Sequence, residues 1–197
     1  MTTQSANVVI VDSWASKSAV RNAALVVGLT AFTALAAQIS VPLPFTPVPL
    51  TLQTFAVLAG AGALGAQRAV IAQVLYIALA VVGAPVLAPS ADGTHVTGRD
   101  VLSMPTFGYL AGFVFASLVV GQIAERGATK RVPTTLIAYV AGTATIYVFG
   151  ATWLAHSTGM SISWAISHGV TPFLVGDAVK AIAAGAVLPA LWKITKP

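Results

Sequence analysis

Gly176-Asp177-Ala178-Val179-Lys180 interrupts the last long apolar run of the chain, Pro172 to Trp192. The run is long enough to cross a bilayer as a helix. Within it, an aspartate and a lysine three residues apart share one helical face. Each such side chain costs about 2.5–3.5 kcal/mol at the middle of a spanning helix. With the helix starting at Pro172, Asp177 lies about 8 Å inside that start. Two readings are open. The residues neutralise each other, or Lys180 reaches the headgroups along its aliphatic stem; alternatively they form a polar pocket in which Asp177 accepts and Lys180 donates.

Composition settles the solvent. Charged residues make up 8% of the 197 positions and mean hydropathy is +0.88. A soluble domain of this size carries about 25% charged residues, so most of this chain is built for lipid. Cysteine is absent, which removes disulfides, thiol nucleophiles and cysteine metal sites. The net charge of +5 does not point to nucleic acid, because the basic residues flank apolar runs instead of forming a stripe interleaved with aromatics.

Read in order, the chain predicts an all-α membrane protein of six spans in one domain, residues 21–197, after an N-terminal tail, residues 1–20, with Trp14 at the interface. The first span runs about Ala23 to Ile39, retained rather than cleaved after Ala37. Val41 to Leu50 then carries Pro42, Pro44, Pro47 and Pro49 and no charge. Proline removes amide donors, so this stretch is extended or looped. Non-helical backbone this apolar suits a lid over a pocket or a connector in the headgroups. The second segment, ending near Leu64, is broken by Gly60 and Gly62 and is short of a full span, a pointer to a transport site. Gln53 and its neighbouring threonines are its hydrogen-bonding groups. The third span, about Ala69 to Val86, holds Gln73 and Tyr76, read as helix–helix hydrogen bonds.

Residues 87–103 form the most polar loop. The fourth span, Met104 to Ala124, opens with Pro105-Thr106-Phe107-Gly108-Tyr109, and Gly108 with Gly112 lets another helix approach closely. Tyr109 is either an interfacial aromatic or a pocket wall. The fifth span runs about Thr134 to Ala155, and a loop with His156, Ser161, Trp164 and His168 leads to the sixth.

Alternating sides places eight of the ten Lys and Arg residues together: Lys17, Arg21, Arg68, Arg126, Lys130, Arg131, Lys193 and Lys196. Only Arg99 falls in an opposite loop. The positive-inside rule makes both termini cytoplasmic. The proline stretch, the polar loop, the histidine loop and the Asp177 end of the sixth helix then converge outside, at one mouth.

Competing chemistries have thinner support. His95, His156 and His168 match no ligand spacing, so no metal is expected. Gly159-Met160-Ser161-Ile162 with His168 nearby echoes an intramembrane serine protease, but nucleophile and base sit in one short loop. No Gly-x-x-x-x-Gly-Lys-Ser/Thr loop is present, so any ATP hydrolysis of the Walker type belongs to partners. A gradient-driven carrier for a small solute is the other transport reading.

Five motifs in order carry a family likeness: Pro42-Leu43-Pro44, Val48-Pro49-Leu50-Thr51-Leu52-Gln53-Thr54-Phe55, Gly83-Ala84-Pro85-Val86, Pro105-Thr106-Phe107-Gly108-Tyr109-Leu110-Ala111-Gly112-Phe113, and Gly176-Asp177-Ala178-Val179-Lys180. Over nearly all of residues 21–192 the chain resembles the BioY family, the biotin-specific substrate-binding subunits of energy-coupling factor transporters. The resemblance implies a six-helix membrane fold in the bacterial inner membrane that captures biotin from outside. It implies a transmembrane coupling protein and two cytoplasmic ATPases as partners, with no enzyme activity, cofactor or metal in this subunit. Carried over by motif, Gln53, Tyr109, Asp177 and Lys180 line the pocket, and Pro42, Pro44, Pro47 and Pro49 belong to its lid. The sequence departs from the family pattern twice. Ala91-Asp92-Gly93-Thr94-His95 replaces a glycine-rich loop, and Ala24-x-x-x-Gly28 replaces an alanine-x-x-x-alanine face on the first helix.

Overall fold

A computed structural model describes residues 9–13 and 18–194. Trp14, Lys17 and Lys196 lie outside the described residues. Seven α-helices make up most of the described chain: α1 (Ala19–Gln38), α2 (Gln53–Leu64), α3 (Ala66–Val81), α4 (Phe107–Glu125), α5 (Val132–Thr158), α6 (Ile162–Gly169) and α7 (Leu174–Ile194). Strand β1 (Ser40–Val41) pairs antiparallel with β2 (Leu50–Thr51), so the proline stretch is a pinched hairpin set into a helical protein.

Four helical stretches are long and apolar enough to cross a membrane: Ala19–Gln38, Phe107–Glu125, Val132–Thr158 and Ile162–Ile194. The last joins α6 and α7 through the 3-10 turn Thr171–Phe173. Their outward faces carry Val27, Ile137, Val148, Val179 and Ile182, all more than half exposed. An apolar surface of that extent is built to meet lipid.

Helices α2 and α3 are shorter, with 12 and 16 residues, or about 18 and 24 Å of rise. α2 is the central element: Ala56, Val57, Leu58 and Ala61 are at most 1% exposed. The third helix was expected to run to Val86 but stops at Val81, where Gly83 turns the chain at φ +106° ahead of Pro85. The expected histidine loop is also corrected. α5 continues to Thr158 and takes in His156, and α6 takes up Trp164 and His168.

Close approach at glycine locks the bundle as the small-residue spacing predicts. A Cβ on Gly108 would stand 2.6 Å from the Phe149 carbonyl oxygen, and one on Gly112 would stand 2.9 Å from Ile146 Cα. α5 is therefore the helix that α4 admits. Gln73 donates to Thr33 Oγ1 at 3.2 Å, and Thr30 donates to the Ala72 carbonyl at 3.0 Å. These bonds tie α3 to α1, as expected of polar groups in an apolar bundle.

Part of the stretch expected as a tail packs into the bundle. The 3-10 turn Ile10–Ser13 sits under the α2–α3 turn, with Val9 and Ile10 2% and 1% exposed. Ile10 packs with Leu188 and Trp192, and Val9 with Ala124. Asp12 pairs with Arg68 at 2.8 Å and with Arg21 at 3.6 Å.

Candidate functional site: a closed polar cluster on an apolar cavity

A cavity of about 400 Å³ opens between the hairpin, the loop after α3, and the first turns of α2, α4 and α7. That volume lies in the range of about 300–1,000 Å³ typical of small-molecule sites. Leu43, Val48, Leu110, Phe113, Ile146 and Phe173 supply apolar wall, and among the described residues Asp177 and Lys180 are the only charged ones in its lining.

The two charges belong to one cluster. Lys180 Nζ lies 2.8 Å from Asp177 Oδ1, with the side chains 11% and 6% exposed. Lys180 also donates to Thr54 Oγ1 at 2.8 Å, and Thr54 donates to Asp177 Oδ1 at 3.1 Å. Tyr147 donates to Asp177 Oδ2 at 2.5 Å. The charges neutralise each other, and they do so in the lining of the cavity. Asp177 falls in the first turn of α7, closer to the helix start than expected because α7 begins at Leu174. There the helix dipole favours the carboxylate.

Hydrogen-bond capacity defines what the cluster still offers. A carboxylate has about four acceptor sites and an ammonium has three N–H donors. Oδ1 is filled by Thr54 and Lys180, whereas Oδ2 holds one bond from Tyr147. Two Lys180 protons are committed. One acceptor site on Asp177 Oδ2 and one N–H on Lys180 remain within the same cluster. That pattern complements a cis-amide or ureide edge, which presents an N–H and a C=O together.

Gln53, Tyr109 and three of the four expected lid prolines meet the same cavity. Gln53 is buried in its wall and donates through Nε2 to Tyr76 Oη at 2.9 Å; Tyr76 donates to the Val86 carbonyl at 3.0 Å. Tyr76 thus holds Gln53 in place. Tyr109 lines the cavity, but its hydroxyl proton is spent on the Gly169 carbonyl at 2.8 Å. Pro42, Pro47 and Pro49 line the cavity, whereas Pro44 is exposed and outside its lining. The loop that replaces a glycine-rich segment contributes Leu87, Pro89, Ser90, Ala91 and Val96 to the wall, while Arg99 is exposed and does not. Asp92 orders that loop by accepting from the Thr94 hydroxyl at 2.7 Å and amide at 3.0 Å. The hydroxyl first, then the amide, hold its carboxyl below the usual range.

Tyr147 is the residue the sequence reading missed. Tyr139, Thr143 and Tyr147 recur at i, i+4 and i+8 on α5, a hydroxyl stripe on one helical face that would have signalled it. The protease reading loses its geometry. Ser161 caps α6 by accepting from the Trp164 amide at 3.2 Å, and His168 bonds Ser167 Oγ and the Trp164 carbonyl, both at 2.9 Å. No group of three His, Cys, Asp or Glu that could hold a metal occurs among the described residues.

Comparison with known proteins agrees across sequence and structure. The BioY family model matches residues 4–197. The chain is 33% identical over 151 residues to a protein named Biotin transporter BioY from Rhizobium etli, covering 73% of this chain and 78% of that protein. It is 35% identical over 165 residues to the protein of the same name from Thermotoga maritima, covering 84% and 92%. A crystal structure of the S-component for biotin from an ECF-type ABC transporter superposes with a TM-score of 0.76 at 25% identity, covering 90% of this chain and 95% of that one. On these grounds the chain belongs to the BioY family.

Proposed function

We propose that this chain is the biotin-binding S subunit of an energy-coupling factor transporter. One observation carries the reading: the Asp177–Lys180 pair, held by Thr54 and Tyr147, faces an apolar cavity with one acceptor and one donor to spare. The ureido ring of biotin presents the matching donor and acceptor, and its thiophane ring and valeryl chain suit the apolar wall. Lys180 is already neutralised by Asp177, so the pair is suited to the ureido group rather than to the carboxylate. Gln53 and Tyr109 shape the wall, and the hairpin bearing Pro42, Pro44, Pro47 and Pro49 serves as the lid.

In this reading residues 21–197 pass the bacterial inner membrane six times, with α2 and α3 as short spans and both termini cytoplasmic. The positive-inside distribution supports that orientation. Biotin enters from outside, and the energy comes from a transmembrane coupling protein and two cytoplasmic ATPases, with no cofactor in this subunit. The small-residue face at Ala24 and Gly28 on α1 is exposed and suits docking of the coupling protein.

The test is biotin retention by purified Asp177→Asn and Lys180→Ala variants. Loss of one partner of a buried charged contact costs about 2 kcal/mol or more, so both should bind at least about thirtyfold more weakly. Wild-type affinity in both would overturn the proposal. Biotin uptake by this chain alone in proteoliposomes, collapsed by an ionophore, would instead indicate a gradient-driven carrier.

A further inference from the structure

The basic residues at the end of the bundle where the Ile10–Ser13 turn lies fall into two groups. Arg21 and Arg68 are spent inside the protein. Arg68 bonds Asp12 Oδ1, Asn22 Oδ1 and the Leu64 carbonyl, and Arg21 reaches Asp12 and the Val11 carbonyl. Arg126, Lys130, Arg131 and Lys193 are exposed, and among the described residues none of them joins an ion pair. Among the described residues, the carboxylate next to them in the chain, Glu125, is turned inward onto the Ala66 amide at 2.9 Å.

These four cations stand on a built platform. Gly127, at φ +88°, bends the chain between α4 and α5 into the 3-10 turn Ala128–Lys130. Buried Thr129 accepts from Trp192 Nε1 at 3.0 Å, which fastens the end of α7 to that turn. Lys130 Nζ lies 4.9 Å above the Trp192 ring. Thr135 Oγ1 donates to the Arg131 carbonyl at 2.8 Å. Directly beside the cations, Val132 and Ile194 are exposed apolar side chains. Cations flanked by exposed apolar residues, with no ion-pair partner among the described residues, suit the headgroup level of a membrane.

We infer that Arg126, Lys130, Arg131 and Lys193 form a binding surface for anionic phospholipid headgroups, which recruits such lipids around the α4–α5 turn and the end of α7. Each basic residue near an anionic surface strengthens binding about fivefold, and salt screens that attraction beyond about 8 Å at physiological ionic strength.

The full chain, purified into phosphatidylcholine nanodiscs with and without phosphatidylglycerol, provides the test. Native mass spectrometry reads the phosphatidylglycerol retained. Wild type should be enriched in phosphatidylglycerol over the bulk mixture. The variant R126Q/K130Q/R131Q/K193Q should lose at least about tenfold of that enrichment, while R99Q, which removes an exposed cation elsewhere, should keep it. Equal enrichment in wild type and the quadruple variant overturns the inference. So does normal enrichment with failed assembly on a coupling protein, which would make the patch a protein-docking surface. If the quadruple variant does not fold, K193Q and a salt titration of wild type decide. Enrichment that falls steeply with salt supports the inference, and salt-insensitive enrichment overturns it. The result is independent of biotin binding.

Discussion

Thr54 and Lys180 are 126 residues apart in the chain and 2.8 Å apart in the structure, where the threonine oxygen accepts from the ammonium and its hydroxyl donates a hydrogen bond to Asp177. The contact joins the first turns of α2 and α7 under the hairpin. It makes Thr54 a determinant of how the two charges are presented. Thr54→Val keeps the shape and removes the relay, leaving Lys180 and Asp177 each with one partner fewer. Biotin affinity measured by titration calorimetry should fall at least about tenfold, in line with about 1.5–3 kcal/mol for a hydrogen bond to a charged group.

Tyr147→Phe removes the bond to Asp177 Oδ2 and little volume. Binding should weaken by about 1.5–3 kcal/mol with only a small change in thermal midpoint. An unaltered affinity would mean that Tyr147 takes no part in presenting the carboxylate.

The ion pair itself separates stability from binding. Removing one partner of a buried pair leaves an uncompensated charge and costs about 3–5 kcal/mol. Lys180→Met should therefore lower the thermal midpoint well below that of wild type. Adding Asp177→Leu should restore much of that loss, because two apolar residues need no counter-charge. Biotin binding should stay absent in the double variant. Recovery of binding together with stability would remove the pair from the site.

Two glycines on exposed and buried faces should behave oppositely. A Cβ on Gly121 would stand 2.3 Å from Ala66 Cα, where α4 crosses the Gly65–Ala66 turn, whereas one on Gly28 meets nothing within 4 Å. Gly121→Ala should destabilise the fold by about 1–3 kcal/mol or more. Gly28→Leu should leave folding and biotin binding intact and reduce uptake only when the coupling protein and ATPases are present. Thermal melts, biotin titration and whole-cell uptake distinguish the three effects.

What was legible in the sequence was what charge and period control. An aspartate and a lysine in an apolar run announced the site because their burial has to be compensated, and the glycine pair on α4 announced its neighbour. Helix ends were less legible. His156 reads as a loop residue, yet α5 carries it because the helix continues to Gly159 at φ +70°. Tyr147 was passed over because one more tyrosine in an apolar helix looks like a wall; the hydroxyl stripe that it shares with Tyr139 and Thr143 was the signal, and the packing of α5 against α7 aims its hydroxyl at Asp177. The burial of Val9 to Val11 was hidden, since it depends on α2 stopping short and leaving room beneath its turn.

That last feature bears on how the protein is made. Ile10 leaves the ribosome long before Leu188 and Trp192, the residues it packs against, so its greasy side chain stays without a berth until synthesis is nearly over. Closure of the base is therefore a late assembly step. Chains cut short before α7 would lack the cover that Leu188 and Trp192 give Ile10, a mark by which quality-control proteases would tell unfinished molecules from finished ones.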